Sequence, residues 1–471
     1  MARRIHRRRS ALKICHVVAA GAGGTWVVEQ LRTLRDEYGC DVTACLFSDA
    51  GSLVDALRAE GIPLLIWKPP RLGIAHLCTL PVKIVELARL FRRERFDVVH
   101  THLFHSMMIG RVSAWLADVP VRLAMIAGPY HLEIPTLRWI DRSTCWMDTA
   151  VIASCEYTRR LYRRMGVPDR RLELIYYGPD ERRFDPAETE VADLRGEYGW
   201  PADTPLVGMV AFFYRPDRRT GHAPPGLRGR DIKGHEYLIR AMPAILGEFP
   251  TARLLLIGAP LGDDGRKVVA ELQDLVGRLG LQGRVVFTGF RSDVPACLRA
   301  LDVAVQASLN ENLGGTIEAL LMECPLVATR VGGMIDSVVD GETGLLVEPA
   351  SPDELSRAIL QLLRDPERAR HLGRVGRRRM LDRFTLGHTA RDLSRLYARL
   401  LRQRDPRRRY RPWASAYRLL IVAAVSAYLA LRFVMERLAA SNPQVPSTDQ
   451  QQLPKSDATL AMHPHQREHE P

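Results

Sequence analysis

Several familiar signatures are missing from this 471-residue chain, and each absence narrows its chemistry. The eight cysteines form no Cys-x-x-Cys pair, and Cys40 and Cys45 are the nearest neighbours. Zinc-ribbon and dithiol redox sites are therefore excluded, and scattered thiols of this kind serve as small core residues in a reducing compartment. The six-residue Gly-x-Gly-x-x-Gly spacing does not follow the first strand, so a dinucleotide fingerprint is not supported. The N-terminal stretch Ala11–Ala20 is broken by Lys13 and His16, which rules out a secretory leader. Tyr410 is the one aromatic residue within the basic clusters 1–13 and 402–411, and no nucleic-acid-binding motif accompanies them. The formal charge of +13 therefore points away from RNA or DNA.

What is present is an alternation of short apolar runs and amphipathic segments, over a length that suits two domains with extensions. Hydrophobic residues make up 46% of the chain, enough for two sizeable cores. The pattern predicts strands at Leu12–Ala19, Asp41–Phe47, Pro63–Trp67, Phe96–His100, Val121–Ile126, Ala150–Ala153 and Leu172–Gly178. It predicts helices at Trp26–Tyr38, Leu53–Glu60, Val82–Arg93 and Glu156–Met165. Ala187–Thr204 reads as a helix and linker. A second series follows, with strands at Leu206–Phe212, Ala252–Gly258, Val285–Gly289 and Leu301–Ser308 and helices at Leu238–Glu248, Lys267–Leu279, Pro352–Leu363, Pro366–Arg383 and Phe384–Arg402. The Arg/Gly/Pro-rich insertion 214–229 reads as a mobile loop.

The resulting division is a basic arm at 1–11, an N-terminal Rossmann-like domain at 12–198 and a C-terminal one at 199–385. A crossover helix at 386–405 returns to the first domain. A basic and apolar segment at 406–437 and a polar, disordered tail at 438–471 complete the chain. Leu419–Leu431 is apolar but only thirteen residues long, against roughly 20 needed to cross a bilayer. Trp413–Met435 reaches that length only if Arg418 and Arg432 snorkel. A marginal span, an interfacial helix and a helix packed on the enzyme all remain open. The arginine clusters at both ends favour an anionic lipid surface.

The most informative stretch is Ser308–Gly333, SLNENLGGTIEALLMECPLVATRVGG. A strand ends in the turn Asn310-Glu311-Asn312-Leu313-Gly314-Gly315-Thr316, and a helix opens at about Ile317. A glycine turn at a helix N-terminus presents free N–H groups and the positive end of the dipole, which suits a phosphate. Glu318, on the first helical turn, is placed to accept hydrogen bonds from a sugar diol.

The string resembles the nucleotide-sugar site of the retaining GT-B glycosyltransferases of family four, the group 1 glycosyl transferases. There, two glutamates bracket a glycine turn that leads to a Pro-Val-Val-Ala-Thr strand and a Gly-Gly turn. Glu318 matches the second glutamate, because Pro325 follows seven residues later. Six residues separate Glu311 from Glu318 where the family has seven; strict spacing selects Asn310, and Glu311 is preferred with a shortened turn. The resemblance covers about residues 12–400. It implies an α/β fold of GT-B type, with two doubly wound parallel-sheet domains facing a cleft and a C-terminal membrane-associated helix added here.

The resemblance also implies roles. Lys233, in Asp231-Ile232-Lys233-Gly234, matches the family's diphosphate lysine. The accompanying arginine is displaced: its place falls at Phe212-Phe213, with Arg230 the first substitute and Arg215 the second. His131 matches the histidine that contacts the donor sugar. Gly23 and Gly24 face the donor phosphates or the acceptor. The backbone at Phe290 and Arg291 contacts the base. Gly314, Gly315 and Thr316 take the phosphate, with Asn310 and Glu311 beside them. No obligatory metal or cofactor is expected. His100 and His102 fall at i and i+2 on a strand end with no third ligand apparent, so packing or cleft lining is favoured over metal.

The implied function is transfer from a nucleoside-diphosphate sugar to a lipid-linked or polysaccharide acceptor, as in lipopolysaccharide or exopolysaccharide synthesis, at the cytoplasmic face of the membrane. A nucleotide-sugar epimerase of the same fold and a non-catalytic membrane scaffold are the alternatives.

Overall fold

The computed structural model of the chain describes residues 11–19, 24–69, 79–215 and 224–403, together with Leu420, Ala423 and Ala427. Seven parallel strands build the first sheet: β1 (Lys13–Val18), β2 (Asp41–Leu46), β3 (Leu64–Ile66), β4 (Val98–His102), β5 (Val121–Ile126), β6 (Ala150–Ala153) and β7 (Leu172–Leu174). Their spatial order is β3-β2-β1-β4-β5-β6-β7. Six more build the second: β8 (Leu206–Val210), β9 (Arg253–Ile257), β10 (Val285–Gly289), β11 (Val303–Gln306), β12 (Leu326–Thr329) and β13 (Leu345–Val347), in the order β10-β9-β8-β11-β12-β13. Central strands such as Val98–His102 and Val303–Gln306 are buried throughout, because helices cover both faces of a parallel sheet. The order reverses between β1 and β4 and again between β8 and β11. Ligands bind beyond the carboxyl ends of strands at such points.

Sequence cues set the helix starts. Ser351 and Asp365 each accept a hydrogen bond from a backbone N–H three residues on, ahead of Pro352 and Pro366. The helix Leu386–Arg402 crosses back, and its Leu393, Leu396, Tyr397 and Leu400 pack into the first domain's core beside Leu31 and Val42.

Several expectations need correction. Helices at Phe104–Leu116, Pro135–Thr144 and Val294–Ala300 were not anticipated. Phe104–Leu116 is buried from Ser106 to Trp115, so it lacks the polar stripe that marks a surface helix. The stretch read as helix and linker at 187–204 contains a single helical turn, Leu194–Glu197. The basic arm 1–10, Gly23, insertion residues 216–223 and nearly all of 404–471 lie outside the described residues. Among the described residues no helix is long and apolar enough to cross a membrane.

Candidate active site

At the switch point of the second sheet, the loops after β8 and β11 meet the turn 231–234. Asp231 shapes that turn. Its carboxylate accepts from the Lys233 N–H at 3.0 Å and the His235 N–H at 2.9 Å, and lies 2.7 Å from His235 Nδ1. Leu309 N–H donates to Ile232 O at 2.8 Å and ties the turn to the end of β11. Gly234 has φ +76°, and a Cβ there would stand 2.0 Å from Ala307 O, so only glycine fits. The outcome is that Lys233 Nζ pairs with Glu311 Oε2, over the face of Tyr214 at 5.8 Å. Burial pulls the ammonium's pKa down, but the Glu311 carboxylate outweighs it and the net shift is upward. Glu311 also accepts from Ser308 Oγ at 3.3 Å and from the Asn312 N–H at 3.1 Å.

The Gly332-Gly333 turn closes on this loop from behind. A Cβ at Gly332 (φ +53°) would lie 1.7 Å from Glu311 O, which explains why a small, left-handed residue stands there. The helix Thr316–Leu321 begins just beyond Gly314 and Gly315. Thr316 Oγ1 is turned inward, bonded to Leu313 O and to Ser337 Oγ, so it offers the cleft its N–H and not its hydroxyl. Glu318, on the first turn, is half-buried and accepts no hydrogen bond among the described residues. Burial pushes its carboxyl up to about 7; Arg183 and Lys233 oppose the rise, while Glu311 and Glu29 add to it.

Asn310 and His131 lie on opposite walls. Asn310 Nδ2 donates to Glu133 Oε2 at 2.7 Å across the interdomain cleft, and Glu133 Oε1 accepts from Tyr157 OH at 3.0 Å. Ser154 Oγ donates to Asn312 Oδ1 at 3.0 Å, and the Glu156 N–H donates to Asp336 Oδ2 at 2.6 Å. These cross-domain partners were not singled out from sequence; the only hint was that Glu133 and Ser154 follow strand ends. His131 sits in a short 3-10 turn after β5, with Nε2 3.2 Å from Asp141 Oδ2. Arg291 spends its guanidinium on Glu197 (2.8 Å) and Asp293 (2.7 Å), whereas Phe290 is 70% exposed. Gly24 caps the helix Thr25–Asp36 with φ +70°. Arg230 is exposed and forms no ion pair among the described residues, while Arg215 is bound to Glu271.

The structure corrects the reading of His100 and His102. A third histidine, His16 on β1, is the direct neighbour of His100 in the sheet, and one nitrogen of each ring lies within 4.8 Å of the others. All three are fully buried. They are engaged with one another and with two tyrosines: His102 Nε2 to His16 Nδ1 (3.0 Å), His100 Nδ1 to Tyr397 OH (2.7 Å) and His102 Nδ1 to Tyr177 OH (3.1 Å). Within this set His100 Nε2 is buried without a partner among the described residues; burial takes His16 down to about 3 and the other two well below their ordinary value.

Two open parallel sheets, each with a reversal of strand order, define a two-domain α/β protein of GT-B type. Residues 21–178 match the glycosyl transferase 4-like domain, and residues 226–365 match the glycosyl transferases group 1 family. EpsD of Bacillus subtilis strain 168, a glycosyltransferase by name, is 31% identical over 328 residues, covering 66% of this chain and 79% of EpsD. The 2-deoxystreptamine glucosyltransferase of Streptomyces kanamyceticus is 27% identical over 360 residues, 73% of this chain and 87% of that one. Among solved structures, Anabaena HepE in complex with UDP superposes with a TM-score of 0.69 at 21% identity, covering 82% of this chain and all of HepE. Sucrose-phosphate synthase of Thermosynechococcus elongatus gives 0.65 at 23% identity, covering 83% and 100%. The chain belongs to the group 1, family 4 glycosyltransferases.

Proposed function

We propose that the protein moves a sugar from a nucleoside-diphosphate sugar to a lipid-linked or glycan acceptor with retention of configuration, at the cytoplasmic membrane face, in the synthesis of a surface glycan or glycolipid. The observation that carries the donor half is Glu318: a half-buried carboxylate without a hydrogen-bond donor among the described residues, on the first turn of a helix at the sheet's switch point. The ribose hydroxyls supply the donors it lacks. The diphosphate lies on the Gly314–Thr316 N–H groups, and Lys233 with Arg230 neutralises the charge that grows on the leaving group, in place of a divalent metal. Glu311, already paired with Lys233, faces the donor sugar or its phosphates. Gly23 and Gly24 oppose the phosphates from the first domain, His131 meets the sugar, and the backbone at Phe290 and Arg291 meets the base. Because HepE has been solved with UDP and with UDP-glucose, uridine is the base to try first. Closure of the domains, already bridged by Asn310 and Glu133, shields the activated sugar from water. The membrane location and the acceptor rest on the terminal arginine clusters and the apolar stretch 419–431.

Calorimetry and thermal shift with UDP, GDP and ADP test the reading on wild type and Glu318→Ala. One diphosphate binds the wild type and is lost in the variant; if none binds the wild type, the donor site is wrongly placed.

A further inference from the structure

Beneath His131 lies a buried charge network that the donor-site reading does not use. Arg111 is fully buried on the helix Phe104–Leu116. Its Nη1 donates to Asp141 Oδ1 and to Thr144 Oγ1, each at 2.8 Å, and its Nε donates to Asp148 Oδ2 at 2.7 Å. Asp141, on the helix Pro135–Thr144, is also fully buried. Its second oxygen, Oδ2, accepts from Tyr162 OH at 2.5 Å and contacts His131 Nε2 at 3.2 Å.

The two acids differ. Burial raises both, but Arg111, His131 and Tyr162 together hold Asp141 well below the carboxylate range, whereas burial leaves Asp148 up at about 6. Asp141, paired with the Arg111 guanidinium, is ionised, and an ionised carboxylate only accepts hydrogen bonds. The contact to His131 is then an Nε2–H donor, which places a proton on Nε2. The other nitrogen, Nδ1, has no partner among the described residues, and the His131 side chain keeps 9% of its surface exposed. His131 and Glu133 share the short turn after β5, and the Glu133 carboxylate reaches Asn310 across the cleft.

We infer that Asp141, held by Arg111 and Tyr162, is a positioning residue that locks His131 with its Nδ1 lone pair facing the cleft as a hydrogen-bond acceptor for a hydroxyl of the bound sugar. The sugar contact rests on the proposed donor site; the lock does not. An arginine and two aspartates carried by otherwise apolar surroundings are a costly arrangement for stability alone, because replacing such groups by packed apolar residues is often neutral or better.

The first test is the tautomer of His131 in unliganded wild-type protein, read from long-range 1H–15N correlations of histidine-labelled, deuterated material. The resonance is assigned by its loss in His131→Gln. A protonated Nε2 and a bare Nδ1 are expected. An Nδ1–H ring, or one averaging between tautomers, overturns the inference, and the protein whose tautomer is read carries no substitution. The second test compares UDP with UDP-glucose on Asp141→Asn, with circular dichroism as the folding control. Loss of the lock should weaken UDP-glucose about 10-fold and leave UDP within about 2-fold, since only the sugar meets His131. Equal weakening of both overturns the positioning role. If neither ligand binds the wild type, the donor-site reading fails, and the tautomer alone decides the lock.

Discussion

Replacing Glu318 by Gln should make the protein more stable and worse at binding nucleotide. The carboxyl's ordinary value is 4.5, and burial in the fold raises it to about 7. Because the folded value is the higher one, the folded state binds the proton more tightly than the unfolded chain. The cost of keeping Glu318 ionised is fully present above about pH 7 and vanishes below about 4.5. At pH 8 that cost reaches at most ~3 kcal/mol at 1.36 kcal/mol per pH unit, and half-burial leaves about 1–3 kcal/mol. Glutamine has nearly the same shape and no charge to desolvate. The Glu318→Gln variant should therefore melt several degrees higher at pH 8, at roughly 2–4 °C per kcal/mol for a domain of this size. The gap should close as the pH falls toward 5. Over the same range the variant loses charge-assisted hydrogen bonds to the ribose, so UDP should bind about 10- to 100-fold more weakly at pH 8. Scanning calorimetry at pH 8, 6.5 and 5 reads the first quantity and titration calorimetry at pH 8 the second. A variant no more stable than wild type at pH 8 would refute the argument from burial. Retention of UDP affinity within 2-fold would refute the site.

Removing the charge opposite Glu311, as Lys233→Ala, should weaken diphosphate binding about 100-fold, an effect that shrinks at high ionic strength; titration at low and high salt checks it. Acid lability should trace to the buried histidines. With folded values well below the ordinary 6.5, each binds its proton only on unfolding, so stability is full above about 6.5 and falls as the pH drops. Glu318 and Asp148, both raised, act in the opposite sense, so the diagnostic is a difference. Urea unfolding at pH 6 and pH 5 should show His16→Gln losing about 1.4 kcal/mol less per pH unit than wild type, and equal slopes would sink the idea.

The parallel sheets and the glycine turn 310–316 were legible because both leave one-dimensional traces. A strand buried on both faces must be an unbroken apolar run, as in Ala150–Ala153, and a helix N-terminus that carries glycines must write them in order, as at Gly314 and Gly315. Helix Phe104–Leu116 left no such trace, since full burial erases its period, and Arg111 in its midst was the one clue that a buried partner must exist. His16 was missed as the third histidine for a related reason. It lies 84 positions before His100, and only strand pairing makes them neighbours. The bridge from Asn310 to Glu133 joins two domains and has no signature in either. The irregular glutamate spacing was legible, and the structure shows its setting: Glu311 is already committed to Lys233, and its loop is held from behind by Gly332.

The displaced arginine can be argued from what each candidate already holds. Arg215 is only 15% exposed in its side chain, and its guanidinium is paired with Glu271 on the helix Gly262–Arg278. Swinging it toward a diphosphate would break that pair and leave Glu271, an exposed acid, with little loss; but the Arg215 Nε is buried and unpartnered, so the side chain is packed in place. Among the described residues Arg230 has no such tie. It stands three residues before Lys233 and three beyond the 3-10 turn Pro225–Leu227, held through its backbone N–H to Leu227 O at 3.2 Å. In the proposed donor site its charge meets a second anion beside the one Lys233 meets. A charge-assisted hydrogen bond of about 1.5 kcal/mol or more predicts that Arg230→Ala weakens UDP binding at least about 10-fold. Arg215→Ala should lower the melting temperature and leave UDP binding within about 2-fold. The reverse pattern would mean that the 214–229 insertion delivers Arg215 to the cleft when nucleotide binds, and that Arg230 is an ordinary surface cation.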